Sequence, residues 1–500
     1  MNSRAITWTA ATVLLVAISA VLAQPDNRSS GDDVAGNSVA PAGERLPTDL
    51  SYLGARSCAS TTCHGSVRPD LKNDGRMRRD EYLVWLEEDP HQGAHATLSE
   101  PRSLTIFENL GLMQDGSVVE DQSQRFIEVK QKCQACHSTV VQPAGVAART
   151  GRRSVIEGVT CEACHGPAEK WLARHYRTDF AAYTTDEKIA LGFNNTNSTE
   201  ARAQLCTGCH VGSAGREVNH DWIAAGHPAM KFELTSYLAQ MPRHWKSSRD
   251  RLNASNPESH ELELWLAGQK HAAERSLAQL AHRAGNQNGV WPEFTEADCY
   301  SCHHDLGPPI SWRQDRGFGS QPRSQAIGRV TMPVNEWYLF MLAELASRDG
   351  AGEAASQFAD NYRQLRNSME SSIVPAADDI ARLAAATGLA LRQWSAAEDI
   401  GAPQLLELVR QAPEGRLVSN WDRAVQAYLM LRVMEGEQAG PEAKRIRRLL
   451  AFPSDRQRRF DSPRKFVGVL QSQDSEVTIR EEIGEQLLQL EQAIRAARDN

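Results

Sequence analysis

The chain has 500 residues, of which 41% are hydrophobic and 24% charged, with 34 Gly and 22 Pro. This is a globular composition with room for two or three domains, and it excludes a mainly disordered or collagen-like chain. The formal net charge is −8, so there is no overall basic field to hold nucleic acid, and none is expected as a partner.

In chain order, Met1–Arg4 is positively charged, the following stretch to Leu22 is apolar apart from a few hydroxyls, and Val21-Leu22-Ala23 offers small residues at a cleavage position. Residues 1–23 are therefore expected to be an export signal, leaving a periplasmic protein. An uncleaved anchor is the alternative, because about 18 apolar residues can just span a bilayer. Residues 24–50 are rich in Gly, Pro, Ser, Asp and Asn without a period and read as a flexible linker. Residues 51–322 contain all ten cysteines and all fifteen histidines; short helices alternating with loops are expected there, with a long helix over Ser259–Ala284. Residues 323–500 have neither residue type and read as an α-helical domain. Its apolar stripes are Val334, Trp337, Tyr338, Met341, Leu342 and Leu345; Ile380, Leu383, Leu391 and Trp394; and Ile479, Ile483, Leu487, Leu490 and Ile494. Strand signals are almost absent, so the fold class is mainly α with little regular sheet.

The cysteines share one grammar. Cys133-Gln-Ala-Cys136-His137, Cys161-Glu-Ala-Cys164-His165, Cys206-Thr-Gly-Cys209-His210 and Cys299-Tyr-Ser-Cys302-His303 are four C-x-x-C-H motifs, and Cys58-Ala-Ser-Thr-Thr-Cys63-His64 is a fifth with a longer loop. Two thiols a turn apart can each form a thioether to one haem vinyl group, with the next histidine beneath the iron as proximal ligand. Zinc ribbons and a disulfide framework also use paired cysteines, but neither requires a histidine after every second one. Five covalently bound c-type haems are expected, with His64, His137, His165, His210 and His303 as proximal ligands. At about one site per 50 residues, the macrocycles would form much of the core themselves.

Ten histidines remain for the opposite iron positions. His91 follows Asp89-Pro90, and His227 sits in Gly226-His227-Pro228; both are held at turns and lose little entropy on ligation. With His175, placed on a helix starting near Pro167, and with His244 and His304, they are the expected distal ligands. His260, His271 and His282 recur every eleven residues on one helix face, read as a solvated polar face. His95 and His220 are candidates for a ligand or for a catalytic proton donor beside an iron.

Several of these segments resemble the multihaem c-type cytochromes typified by the tetrahaem electron acceptor of hydroxylamine oxidoreductase, a class that shares haem-packing motifs with that oxidoreductase and with the pentahaem nitrite reductases. The resemblance rests on Cys63-His64-Gly65 with Trp85 and Asp89-Pro90-His91, on Cys161–Pro167, on Asn219-His220-Asp221 leading to Gly226-His227-Pro228, and on Cys302-His303-His304. It spans about residues 51 to 313 and implies a helical haem array, bis-histidine ligation at most irons and electron transfer. The tetrahaem type has four sites where this chain has five, and the lysine-ligated haem of the nitrite reductases has no counterpart here. The expected function is an electron carrier between donor and acceptor redox proteins; the alternative is a haem oxidoreductase acting on a small nitrogen or sulfur oxyanion at a five-coordinate iron. Residues 323–500 are expected to serve docking or oligomerisation. There Lys444, Arg445, Arg447, Arg448, Arg456, Arg458 and Arg459 concentrate positive charge that suits an acidic partner or an anionic membrane surface. If that domain is independent, deleting residues 325–500 leaves the haem spectra unchanged.

Overall fold

A computed structural model describes residues 50–71, 77–141, 155–245, 257–299, 332–348, 351–372, 374–394, 400–411, 417–436, 440–450 and 479–499. The export signal, nearly all of the linker, Cys302, His303, His304, Arg456, Arg458 and Arg459 lie outside the described residues.

The described chain is mainly helical. Among its residues, regular sheet is confined to two antiparallel ribbons, Met113–Gln114 (β1) with Ser117–Val118 (β2) and Thr139–Val141 (β3) with Val155–Glu157 (β4). Up to residue 245 the helices are short: α1 Glu81–Glu87, α2 Pro90–Gly93, α3 Pro101–Asn109, α4 Ser123–His137, α5 Cys161–His165, α6 Thr185–Ala190, α7 Thr199–His210, α8 His220–Ala225 and α9 Leu234–Gln240. Local signals start them. Asp89 accepts a hydrogen bond from the His91 amide with Pro90 in the first turn, Thr184 and Glu187 form a capping box, and Ser198 and Asn219 cap α7 and α8. Apolar burial in this stretch is sparse. Phe107, Leu112 and Phe126 make one cluster, and Ala168, Trp171 and Phe180 another.

The long helix α10 (Pro257–Gly285) serves two cores. Trp265, Leu266, Ala273, Leu277, Leu280 and Ala284 pack into one large cluster with α11 (Phe340–Ala346), α12 (Gly352–Glu370), α13 (Ala377–Gln393), α14 (Ala402–Gln411), α15 (Trp421–Glu435), α16 (Pro441–Leu450) and α17 (Ile479–Asp499). Its Leu264, Ala267 and Ala272 join Ala203 and Val211 of the α7 region, Phe232, Leu234, Trp337 and Tyr338. Hydrogen bonds reinforce the junction: Trp337 Nε1 to the Phe232 carbonyl (3.0 Å), the Tyr338 hydroxyl to the Met230 carbonyl (2.7 Å) and the Asp298 amide to the Pro333 carbonyl (2.7 Å). The cysteine-bearing stretch and the C-terminal helices thus share one packed helix.

The apolar stripes are buried, including Ile483, Leu487, Leu490 and Ile494 of α17. That seam is used within the chain's own bundle. On α16, Ala443, Ile446 and Leu450 face inward while Lys444, Arg445, Arg447 and Arg448 are exposed.

The eleven-residue histidine series departs from a solvated face at its centre. His271 is buried; its Nε2 meets Glu200 of α7 and its Nδ1 lies 2.9 Å from Glu274 Oε2. Burial disfavours the imidazolium, but the bonds to Glu200 and Glu274 outweigh it and raise its pKa, while the His271 bond lowers that of Glu200. A raised His pKa contributes stability fully present below the unfolded value of about 6.5 and lost as pH rises through the folded one; the lowered Glu200 contribution is lost at the acid end. The thermal midpoint of the wild type should therefore exceed that of His271→Gln most at about pH 5 to 6, the gap closing on the alkaline side. A gap that does not change with pH would show that the imidazolium contributes nothing.

Candidate haem-binding site

The motifs at Cys133, Cys161 and Cys206 each end a helix. In α4, α5 and α7 the two cysteines are three residues apart, hence on one face, and the histidine is the last helical residue. Behind α5, Gly166 has φ 83°, and a Cβ there would stand 2.0 Å from the Gly192 carbonyl oxygen, so only glycine fits.

The longer-looped motif is held by a carboxylate from another motif. Glu162, between Cys161 and Cys164, is 1% exposed and accepts the amides of Leu53 (2.9 Å), Gly54 (2.6 Å) and Ala168 (2.7 Å). Burial lifts the Glu162 pKa against these three bonds. The latch brings the Cys58 turn beside α5, where the Cys58 and Cys161 thiols lie close enough to interact; Cys136 and Cys209 do likewise. Within each couple that proximity favours one thiolate, lowering Cys58 to about 7 and Cys209 to about 6, and it raises the partner thiol. Burial raises the others, Cys133 and Cys206 to about 11 and Cys164 to about 12.

Three motif histidines face a second imidazole across a gap. The ring centroids of His64 and His175 are 6.2 Å apart, those of His91 and His210 6.1 Å, and those of His165 and His244 6.5 Å. A metal–nitrogen bond of about 2.0 Å on each side, with each centroid roughly 1.1 Å further out, puts two axial imidazoles about 6.2 Å apart. The spacing therefore fits one iron between each pair. The two small apolar clusters and a buried Trp171 Nε1 without an acceptor also fit a region whose core is completed by large flat groups. No three Cys, His, Asp or Glu side chains converge among the described residues as a zinc site needs.

Outside the pairs, several of the imidazoles are oriented through Nδ1. His64 donates to Glu81 Oε2 (3.1 Å) and His91 to Asp89 Oδ1 (2.8 Å), bonds that raise both histidine pKa values. His175 uses the Leu172 carbonyl (2.7 Å), His227 that of Pro228 (2.8 Å) and His137 that of Ala94 (3.2 Å). His210 stacks on Phe232 at 4.9 Å. Burial pushes His165 and His210 down to about 4 and lowers His175, His227 and His244, so these rings are neutral at neutral pH, the form that ligates iron.

The fourth described motif histidine, His137, has no imidazole in ring contact among the described residues; His95 and His227 both lie within its electrostatic reach. His95 donates to or accepts from the Ser138 hydroxyl at 2.8 Å. His220 starts α8, its amide bonded to Glu293 and its ring edge-on to Phe294 at 5.5 Å. Cys299 is described, but its motif partners and His304 are not. His175 lies in a run of turns after Pro167 rather than on a helix, its ring set by Trp171 and the Leu172 carbonyl. Sequence reasoning did not reach Glu81 or Glu162. Asp89 was legible only as part of the turn before His91, without its cap or its bond to the ring.

Residues 58–166, about a fifth of the chain, match the family model described as cytochrome c554 and c-prime. The match supports a c-type cytochrome that carries electrons through covalently held haem. No curated protein and no solved structure matches the chain. Among the described residues no helix is long and apolar enough to cross a membrane.

Proposed function

We propose that this is an exported, periplasmic pentahaem cytochrome that passes electrons one at a time between a donor and an acceptor protein. Ten cysteines in five motifs would carry the haems, with His64, His137, His165, His210 and His303 as proximal ligands. His175, His244 and His91 complete three of these sites, at His64, His165 and His210 respectively. His227 is proposed for the His137 site; His304 remains the candidate for the His303 site. The observation that carries this reading is the set of three imidazole pairs, each containing one motif histidine, at 6.1 to 6.5 Å.

Bound haem supplies reversible one-electron iron chemistry. The protein's part is to place the rings, to fix the orientation of His64, His91 and His175 through Nδ1, and to exclude water around them. The closeness of Cys58 to Cys161 and of Cys136 to Cys209 supports two close couples of sites, which is the arrangement a conduit needs. Ten propionates would make the holoprotein more acidic than −8.

The second reading has one specific support. With no imidazole in ring contact, the His137 site is the natural place for an open iron position, where a small nitrogen or sulfur oxyanion could bind with His95 as proton donor. Electron paramagnetic resonance of the oxidised holoprotein separates the two. A carrier with every iron six-coordinate gives only low-spin signals; a high-spin fraction near one iron in five, lost activity in His95→Ala, and carbon monoxide binding to the reduced form would replace the carrier reading with the enzyme one.

A further inference from the structure

The described imidazoles do not have equal partners, and the inequality follows a pattern. His64 and His91 each donate Nδ1–H to a carboxylate, Glu81 and Asp89, and these acids are themselves held in place. Glu81 Oε1 accepts the Arg78 amide at 2.6 Å; Asp89 is 2% exposed at its side chain and accepts the His91 amide at 3.0 Å. Between them, the His165–His244 pair has almost nothing. His165 Nδ1 reaches the Thr196 hydroxyl at 3.4 Å, and His244 Nδ1 is buried without a hydrogen bond of ordinary geometry, the neutral Pro242 carbonyl being its nearest acceptor rather than a carboxylate.

From this we infer that Glu81 and Asp89 act as positioning residues that hold the Cys58–Cys63 and Cys206–Cys209 haem sites at low potential, leaving the Cys161–Cys164 site between them higher. This rests on the ligand pairs proposed above. A carboxylate on Nδ1 draws the ring proton outward and makes Nε2 a stronger donor, which favours ferric over ferrous iron; a weak hydroxyl contact does so far less. The buried His165 environment adds to the difference, because a less polar surrounding disfavours the extra positive charge of the ferric state. Both acids also lie within electrostatic reach of His244, so each should influence the middle site, though less than the site whose ring it holds. With the Glu162 latch holding the Cys58 turn beside α5, an electron at the Cys58–Cys63 site runs downhill to the Cys161–Cys164 site, the donor iron being oxidised by one electron and the acceptor reduced by one.

The test is a spectroelectrochemical titration of the holoprotein, wild type against Glu81→Gln and Asp89→Asn, with ferric paramagnetic resonance on the same samples. The His64 and His175 rings are 17° from parallel, whereas the His91 and His210 rings are 84° apart and the His165 and His244 rings 77° apart. Near-parallel rings give a rhombic low-spin signal and near-perpendicular rings a strongly anisotropic one, so the rhombic signal marks the Cys58–Cys63 site, and the two anisotropic signals are assigned by which of them Asp89→Asn shifts most. Each substitution should raise the potential of its own site most, by about tenfold in the oxidised-to-reduced ratio, or ~59 mV for one electron, with a smaller rise at the middle site and haem content unchanged. Glu81→Asp and Asp89→Glu should restore part of the shift. Unchanged potentials, or an equal shift at all sites, would overturn the inference while leaving the ligand pairs standing. A wild-type spectrum lacking these two low-spin signals would instead overturn the ligand pairs on which it rests.

Discussion

Deleting residues 325–500 should abolish the stable holoprotein rather than leave its spectra intact. The cut removes the helices against which α10 buries Trp265, Leu266, Leu277 and Leu280, each 3% exposed or less. At about 1.5–3 kcal/mol for each large apolar side chain, exposing these four costs roughly 6–12 kcal/mol. That is comparable to the whole stability of an ordinary domain, about 5–15 kcal/mol. The loss also reaches the haem side. Trp337 and Tyr338 pin residues 230–232, and Phe232 stacks on His210. The truncated chain, matured in the same cells, should be recovered as aggregate or protease-sensitive material with reduced haem content. A soluble product with full-length absorption spectra would show that the α10 face tolerates water and that the two stretches fold independently.

His175→Ala should convert one low-spin iron to high-spin. The residue contributes one imidazole of the 6.2 Å pair with His64, and alanine offers no ligand in its place. The oxidised spectrum should gain a high-spin signal of about one iron in five, and the reduced protein should bind carbon monoxide at that site. His282→Ala is the control, since its side chain is 53% exposed and meets only Glu217 at 3.6 Å; it should change neither property. If His175→Ala stays wholly low-spin, the pairing with His64 is not a ligand pair.

What could be read before the fold was local in the chain. The C-x-x-C-H grammar lies within five residues, and the stripes of α11, α13 and α17 repeat at three and four, so both survive without tertiary information. The turn at Asp89-Pro90 marked His91 for the same reason. Pairings could not be read: His64 and His175 are 111 residues apart, and which iron a histidine serves depends on how turns stack. The periodicity that placed His271 on a helix face says nothing about where that face points; its acid, Glu200, comes from a different helix. The long helix expected over Ser259–Ala284 was legible, but not that it carries two apolar sides, Leu266, Leu277 and Leu280 on one and Leu264, Ala267 and Ala272 on the other. Glu162 occupies a variable position of its motif, and only the folded chain shows three backbone amides closing on it.

The most direct test of the account is the intact mass of the protein matured by a cytochrome c assembly system, read together with a pyridine haemochrome assay under denaturing conditions. The account predicts five haem masses retained by the unfolded polypeptide, all ten cysteines unavailable to thiol reagents, and a haemochrome of the two-thioether type. Retention of fewer than five haems would remove the motif that fails to carry one, with the longer-looped Cys58–Cys63 site the first to check. A chain that keeps no haem on denaturation, or whose cysteines hold zinc or pair as disulfides, would contradict the account altogether.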